Sequence, residues 1–365
     1  MSALAMDAEG QRLLTRLADW LPEGAAPAVL VTIWSVQGST PRGPGARMLC
    51  RGGRLLAGTI GGGHLEEEAL REAAQCETAA AGGNDAETAT PTATEVREEA
   101  DSSGQAARLC RYPLGAQLGQ CCGGVVWLHY RLVTPADARA LTHALGQAVQ
   151  AGEALTTQFA DETLRERPQP LTTVLIFGAG HVGAALARVL QPLPWRVLVV
   201  DHRPEWADRV RFPPGVDVVC TEPLRLLAAW GWLGAQAQGS QAAQRLTAQG
   251  RPLPVVPAPA ATRALVMTHD HALDRDLTEA LLRVPESTGD PQQALRFVGL
   301  IGSASKIAVT QQRLRQRGVA DAALARLRAP IGLRLSDGQM LGNKLPGQIA
   351  ISVAAEMLAD DQGAL

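Results

Sequence analysis

The chain has 365 residues, of which 46% are apolar, and a formal net charge of −2. That length supports two domains with separate cores, and the near-neutral balance, with no block of lysine or arginine, argues against a nucleic-acid or anionic-membrane partner. No apolar run reaches the roughly 20 residues that span a bilayer, and MSALAMDAEG has neither a basic start nor an apolar core, so a cytoplasmic protein is expected.

In chain order, residues 7–21 read as an amphipathic helix and AVLVTIWSV (Ala28 to Val36) as a strand running into the turn-forming GSTPRGPG. Short extended pieces around Ala46 to Cys50 and Arg54 to Ile60 lead to GGGHLEEEAL, where glycines give way to a helix with acids in its first turn. From about Glu77 to Ala107 large apolar residues almost vanish, and a flexible insertion is expected. RLCRYPL and VVWLHYRLV then resume as strands, with LGQCCGG between them, and a helix follows from about Pro135 to Gln150. The expected divisions are an N-terminal domain over 1–135 and a linker with a helix over 136–170.

Past residue 170 the period changes. TTVLIF reads as a buried strand, GAGHVGAALARVL as a glycine turn into a helix, and RVLVVD as a second strand. Strands DVVC, ALVMTHD and FVGLIGS follow, with helices near 224–232, 272–282 and 305–317, and strands separated by helices imply a parallel sheet. The fold expected is α/β throughout: a small N-terminal α/β domain, then a doubly wound parallel-sheet domain over 171–335. A surface loop is expected at about 234–261, and a C-terminal segment with a helix over 336–365.

Gly178, Gly180 and Gly183 form G-x-G-x-x-G between a strand and a helix, and Asp201 ends the next strand, which is the context of a dinucleotide fingerprint. The glycines would allow a tight turn, approach of a diphosphate to the helix N-terminus and close packing, while Asp201 would accept ribose hydroxyls. The same turn also serves packing alone. His181, His202, His269 and Asp270 fall at strand ends, where ligands of open α/β sheets bind, although Asp270 equally suits a helix cap. IGSASK offers Gly302, Ser303 and Lys306 to an anion at a helix start, and ordinary capping by Ser303 explains the pattern about as well.

The first domain has three glycine-rich loops, and a shared site is expected of them. GSTPRGPGARM supplies Arg42 and Arg47, whose planar guanidinium groups suit oxyanions; GTIGGGHLEEE supplies Gly62, Gly63 and His64; LGQCCGG supplies Cys121, Cys122 and Gly123. A relaxed disulfide wants Cα atoms about 4.4–6.8 Å apart, and neighbouring residues sit about 3.8 Å apart, so Cys121 and Cys122 are not expected to bridge. The remaining Cys50, Cys76, Cys110 and Cys220 are scattered without C-x-x-C spacing, which points to a reducing compartment. Adjacent thiols beside glycine suit soft metals and sulfur chemistry, and two buried small residues at a strand start are the alternative.

GSTPRGPGARM, GTIGGGHLEEE, LGQCCGG, LIFGAGHVG, VVDHRPEWADR, THDHALD and VGLIGSASK, in this order, resemble the XdhC/CoxI family, xanthine dehydrogenase accessory proteins. The resemblance covers most of the chain outside the two insertions, and the GGGHLE form with His64 resembles the xanthine dehydrogenase branch. It implies an N-terminal domain joined to a Rossmann-like one. The implied activity is that of a chaperone rather than an enzyme: it binds the molybdenum cofactor (molybdopterin) and holds it during sulfuration. A cysteine desulfurase supplies the sulfur, and the cofactor passes to apo xanthine dehydrogenase. Cys121 and Cys122 would then offer sulfur ligands to molybdenum, and molybdenum cofactor biosynthesis proteins join the expected partners. In the closing segment, Gly347 and Gln348 stand where the family pattern has an acidic pair. Two rivals rest on the glycine fingerprint: an NAD(P)-dependent oxidoreductase, for which no proton donor is evident, and a nucleotide-sensing interaction protein. A homodimer is expected from the frequency of two-fold assemblies.

Overall fold

The computed structural model describes residues 3–81, 93–100, 106–115, 123–169, 171–233, 254, 256–285 and 294–362. The chain forms two compact units, Met1–Gln169 and Pro170–Leu365.

The first unit opens with β1 (Leu4–Ala5), α1 (Ala8–Thr15) and α2 (Leu17–Trp20), so the helix expected over 7–21 is two short ones. Strands β2 (Ala28–Gln37), β3 (Arg47–Arg51) and β4 (Arg54–Gly58) and helix α3 (Gly63–Ala80) come next. They are followed by β5 (Glu95–Ala100), β6 (Ala106–Pro113), β7 (Val125–Val133), α4 (Pro135–Ala151), β8 (Leu155–Phe159) and β9 (Glu162–Arg167). Six strands make a sheet in the order β4-β3-β2-β7-β6-β5, with antiparallel neighbours throughout. Alternation along β2 sorts its side chains between two layers: Val29, Val31 and Ile33 meet Leu65, Ala69 and Ala73 of α3, whereas Ala28 and Leu30 meet Leu13, Leu14, Leu17, Ala138 and Leu145 from α1, α2 and α4. The sheet is therefore buried on both faces.

Two stretches differ from the sequence reading. Glu95–Ala100, inside the expected insertion, is an edge strand paired with β6, and α3 runs on to Ala80. The stretch 136–170, expected as a linker, is built into the first unit: α4 starts on the Thr134–Asp137 capping box with Pro135 in its first turn, and β8 and β9 form a hairpin to which β1 adds in parallel.

The second unit contains β10 (Thr173–Phe177), α5 (His181–Leu190), β11 (Arg196–Asp201), β12 (Val216–Cys220), α6 (Pro223–Ala229), β13 (Thr262–Val266) and α7 (His271–Leu282). It continues through β14 (Phe297–Leu300), α8 (Ala304–Gln316), α9 (Asp321–Leu324), β15 (Leu327–Arg328) and α10 (Pro346–Asp361). The sheet is parallel in the order β12-β11-β10-β13-β14-β15, the doubly wound arrangement expected. Leu175, Phe177, Leu198 and Val200 pack under α6, α7 and α8, and Val174, Ile176, Val197 and Val199 under α5 and α10. The strand order reverses between β10 and β13, the switch point at which ligands of such sheets bind. Residues 234–253, within the expected loop, lie outside the described residues.

Candidate functional site

The described parts of the three glycine-rich loops of the first unit meet. A Cβ on Gly124 would lie 2.3 Å from the carbonyl oxygen of Ser39 and 2.8 Å from that of Gln37, so only glycine lets the end of LGQCCGG lie against GSTPRGPG. A Cβ on Gly61 would lie 2.6 Å from Pro41, which seats GTIGGGHLEEE against the other side of the same loop. Gly61, Gly62 and Gly63 all have positive φ, at 124°, 81° and 63°, a path that side chains resist. Glu66 locks this turn: its Oε1 accepts the amides of Ile60 and Gly62, each at 3.0 Å, and the Thr59 hydroxyl. Gly62 brings no side-chain cap to α3, and His64 is exposed in the first turn. Gly123 is also exposed, while Cys121 and Cys122 lie outside the described residues.

The two arginines expected to grip oxyanions are held by carboxylates instead. Arg42 reaches Glu9 at 2.7 Å and Asp7 at 2.9 Å. Arg47, only 3% exposed, makes a two-pronged pair with Glu166 and also donates to the carbonyl of Gly45 at 2.8 Å. Each fixes a loop end to an element distant in sequence. Their part in this region is thus to brace it, a role that local spacing does not reveal.

The described cysteines are unsuited to thiolate chemistry. Burial pushes the thiols of Cys50 and Cys76 up to about 12, and burial raises those of Cys110 and Cys220 too. All four stay protonated near neutrality.

In the second unit the glycine turn has the geometry that its spacing predicts. A Cβ on Gly178 would lie 2.4 Å from the Met267 carbonyl and one on Gly183 2.0 Å from the Gly178 carbonyl, so both serve close packing. At Gly180 a Cβ would meet nothing within 4 Å, and this residue leaves α5 without a side-chain cap. His181 opens α5 with its ring edge-on to Trp206 at 5.4 Å.

Asp201, expected to accept ribose hydroxyls, has both carboxylate oxygens engaged within the protein. Oδ2 accepts the amide of Ala179 and Nη2 of Arg203, both at 2.8 Å; Oδ1 accepts Nε of Arg203 at 2.9 Å and its amide at 3.0 Å. Burial alone would raise this carboxyl, but the Arg203 guanidinium and the two amides outweigh it and hold the group below its ordinary value. Arg203 and Arg211 also stack on Trp206, at 5.0 and 4.5 Å, and Arg211 donates to the Ala179 carbonyl at 3.0 Å. Arg203, Trp206 and Arg211 were not singled out from the sequence, though an arginine two residues past a strand-end acid is within reach to fold back on it.

His202 and His269, from the ends of β11 and β13, place their rings 5.8 Å apart. No group of three or more His, Cys, Asp or Glu able to hold a metal occurs among the described residues. Asp270 caps α7 through the amides of Ala272 and Leu273, the structural alternative for this residue. Ser303 caps α8, and Lys306 bonds Asp274 at 2.5 Å and the Ile301 carbonyl at 3.1 Å beside Gly302. Gln348 accepts the amide of Asn343 at 2.8 Å, while a Cβ on Gly347 would meet open space.

The chain is similar to several known proteins. It is 26% identical over 339 residues to YqeB of Escherichia coli (strain K12), an uncharacterised protein; the match takes in 93% of this chain and only 44% of that one, so the chain spans less than half the length of this relative. It is 22% identical over 383 residues to a probable xanthine dehydrogenase component of Bacillus subtilis (strain 168), covering 94% of this chain and 96% of the relative. A crystal structure described as a xanthine dehydrogenase from Bacillus halodurans superposes with a TM-score of 0.53 at 19% identity, over 98% of this chain and 97% of the other, which supports the fold. Residues 22–86 match the family described as XdhC and CoxI, and residues 174–357 match the XdhC Rossmann domain. With half of its length inside that Rossmann domain and its first unit matching the companion one, the chain belongs to the XdhC and CoxI family.

Proposed function

We propose that this protein serves the maturation of xanthine dehydrogenase as a carrier of the molybdenum cofactor, which it shelters during sulfuration and hands to the apo enzyme. Family membership and the Bacillus subtilis relative support the link to xanthine dehydrogenase. The carrier role rests on one observation, the convergence of three glycine-rich loops in the first unit through Gly124 against Ser39 and Gly61 against Pro41. Backbone without side chains lets a polar cargo come close, and the third of these loops has Cys121 and Cys122 just before Gly123 in sequence. Soft sulfur ligands suit molybdenum, and the four described cysteines are held protonated, so thiolate chemistry falls to this tandem pair. A cysteine desulfurase as sulfur donor and the cofactor-synthesising proteins as suppliers complete the reading. Transfer then requires that apo xanthine dehydrogenase bind the cargo more tightly than the carrier does.

The dinucleotide alternative has less support, because both oxygens of Asp201 are already engaged by Arg203 and the glycine loop. The two readings separate in one experiment. Protein purified from cells that make the cofactor should contain molybdenum and pterin, and Cys121→Ala with Cys122→Ala should lower both at least tenfold. Stoichiometric NAD(P) without pterin in the unmodified protein would overturn the carrier reading.

A further inference from the structure

We infer that the groove between α7 and α8 is a binding site for a phosphate-bearing small molecule. These helices cover the sheet face opposite α5 and α10, so the groove is distinct from the glycine turn at Gly178–Gly183. It is a cleft of about 390 Å³ whose lining, among the described residues, includes four basic side chains, His271, Arg275, Lys306 and Arg313, and no carboxylate.

The helical period produces this concentration. His271 and Arg275 are one turn apart on α7, and Lys306 and Arg313 two turns apart on α8, so each helix turns one basic stripe toward the other. Ser303 and Ser305 add hydroxyls, 3.0 Å from one another, at the α8 end of the cleft. In a chain whose net charge is −2, a concave surface of one sign needs a reason.

The nearby acids do not cancel it. Asp274, 1% exposed, is engaged by Lys306 and by the amide and hydroxyl of Thr268 at 3.0 and 2.8 Å, so it balances Lys306 alone. Asp276 stands 3.4 Å from Nε of Arg275 but accepts a closer bond, 2.7 Å, from Arg317.

The chemistry selects a phosphate. Two guanidinium groups, an imidazole and two hydroxyls around one space match an oxyanion with several acceptor oxygens. The volume exceeds what a lone ion fills and lies in the range of small-molecule sites, so the phosphate is expected on a larger molecule. This inference does not rest on the carrier reading.

The test is titration calorimetry of inorganic pyrophosphate into the full chain, purified without pterin, at constant ionic strength and with potassium chloride as the blank. Saturable binding is expected, weakened at least tenfold by Arg275→Gln and by Arg313→Gln. Arg315→Gln, on the same helix but paired with Asp321 outside the cleft, should leave the affinity within twofold. Arg313 is exposed, so its variant should fold, which circular dichroism checks. No saturable binding in the unmodified chain, or equal binding by Arg313→Gln, would refute the site. With the site upheld, cofactor content of Arg313→Gln from cofactor-making cells identifies the source: unchanged content supports a free phosphorylated metabolite, and lost content supports the phosphate of the cargo itself.

Discussion

Four donors surround the carboxylate of Asp201, and only 3% of the residue is exposed. Such a group stabilises the fold only while it is charged. Because its folded pKa lies below that of an unfolded aspartate, about 3.9, the unfolded chain takes up the proton first as the solution is acidified. The contribution is therefore complete above that unfolded value and is lost as pH falls through the lower, folded one. Asp201→Asn keeps the shape and removes the charge, and should cost about 1–3 kcal/mol at pH 7. Denaturant melts at several pH values would show the gap between the two proteins shrinking below pH 4; a constant gap would mean that the Arg203 pair contributes little. The position of Asp201 was legible in the sequence because it follows from strand length and loop spacing. Its occupancy was not, since that depends on the rotamer of Arg203. Likewise Arg42 and Arg47 looked free only because their partners, Asp7, Glu9 and Glu166, lie far along the chain.

At the level of elements, glycine does two different jobs within the β10–α5 turn. Gly183 packs against the Gly178 carbonyl, where a Cβ would come to 2.0 Å, while the space beside Gly180 is open. Gly183→Ala forces backbone apart and should cost about 1–3 kcal/mol. Gly180→Ala, at φ −66°, should change stability by no more than about 0.5 kcal/mol. Paired chemical melts check the contrast, and equal losses would contradict the open space beside Gly180. Elements with strong periodicity, such as β10, α5 and β11, could be read from residue types alone. Strand β5 could not: EVREEA offers Val96 as its large apolar residue, and charges are what an edge strand uses to deter further pairing, so composition imitates a loop. The β8–β9 hairpin was missed for a related reason, as its exposed face is polar and its buried apolar residues, Phe159 and Leu164, join a small cluster with Trp34.

For the molecule as a whole, the decisive feature is that each of the two units has core clusters of its own. Three clusters draw only on the first unit, and the two that flank the parallel sheet draw only on the second. A unit that buries both faces of its own sheet satisfies its strands and helices internally, and a segment of this size is well above the length at which a single core becomes marginal. Residues 170–365 expressed alone should therefore fold, with one cooperative thermal transition and a stability of about 5–15 kcal/mol. Circular dichroism and a denaturant melt measure both. Since His271, Arg275, Lys306 and Arg313 all belong to this unit, the fragment should also bind pyrophosphate within about twofold of the full chain, well under the 1.4 kcal/mol of a tenfold change. A fragment lacking a cooperative transition would show that the second unit needs the first to fold, and that the independence of its cores is insufficient.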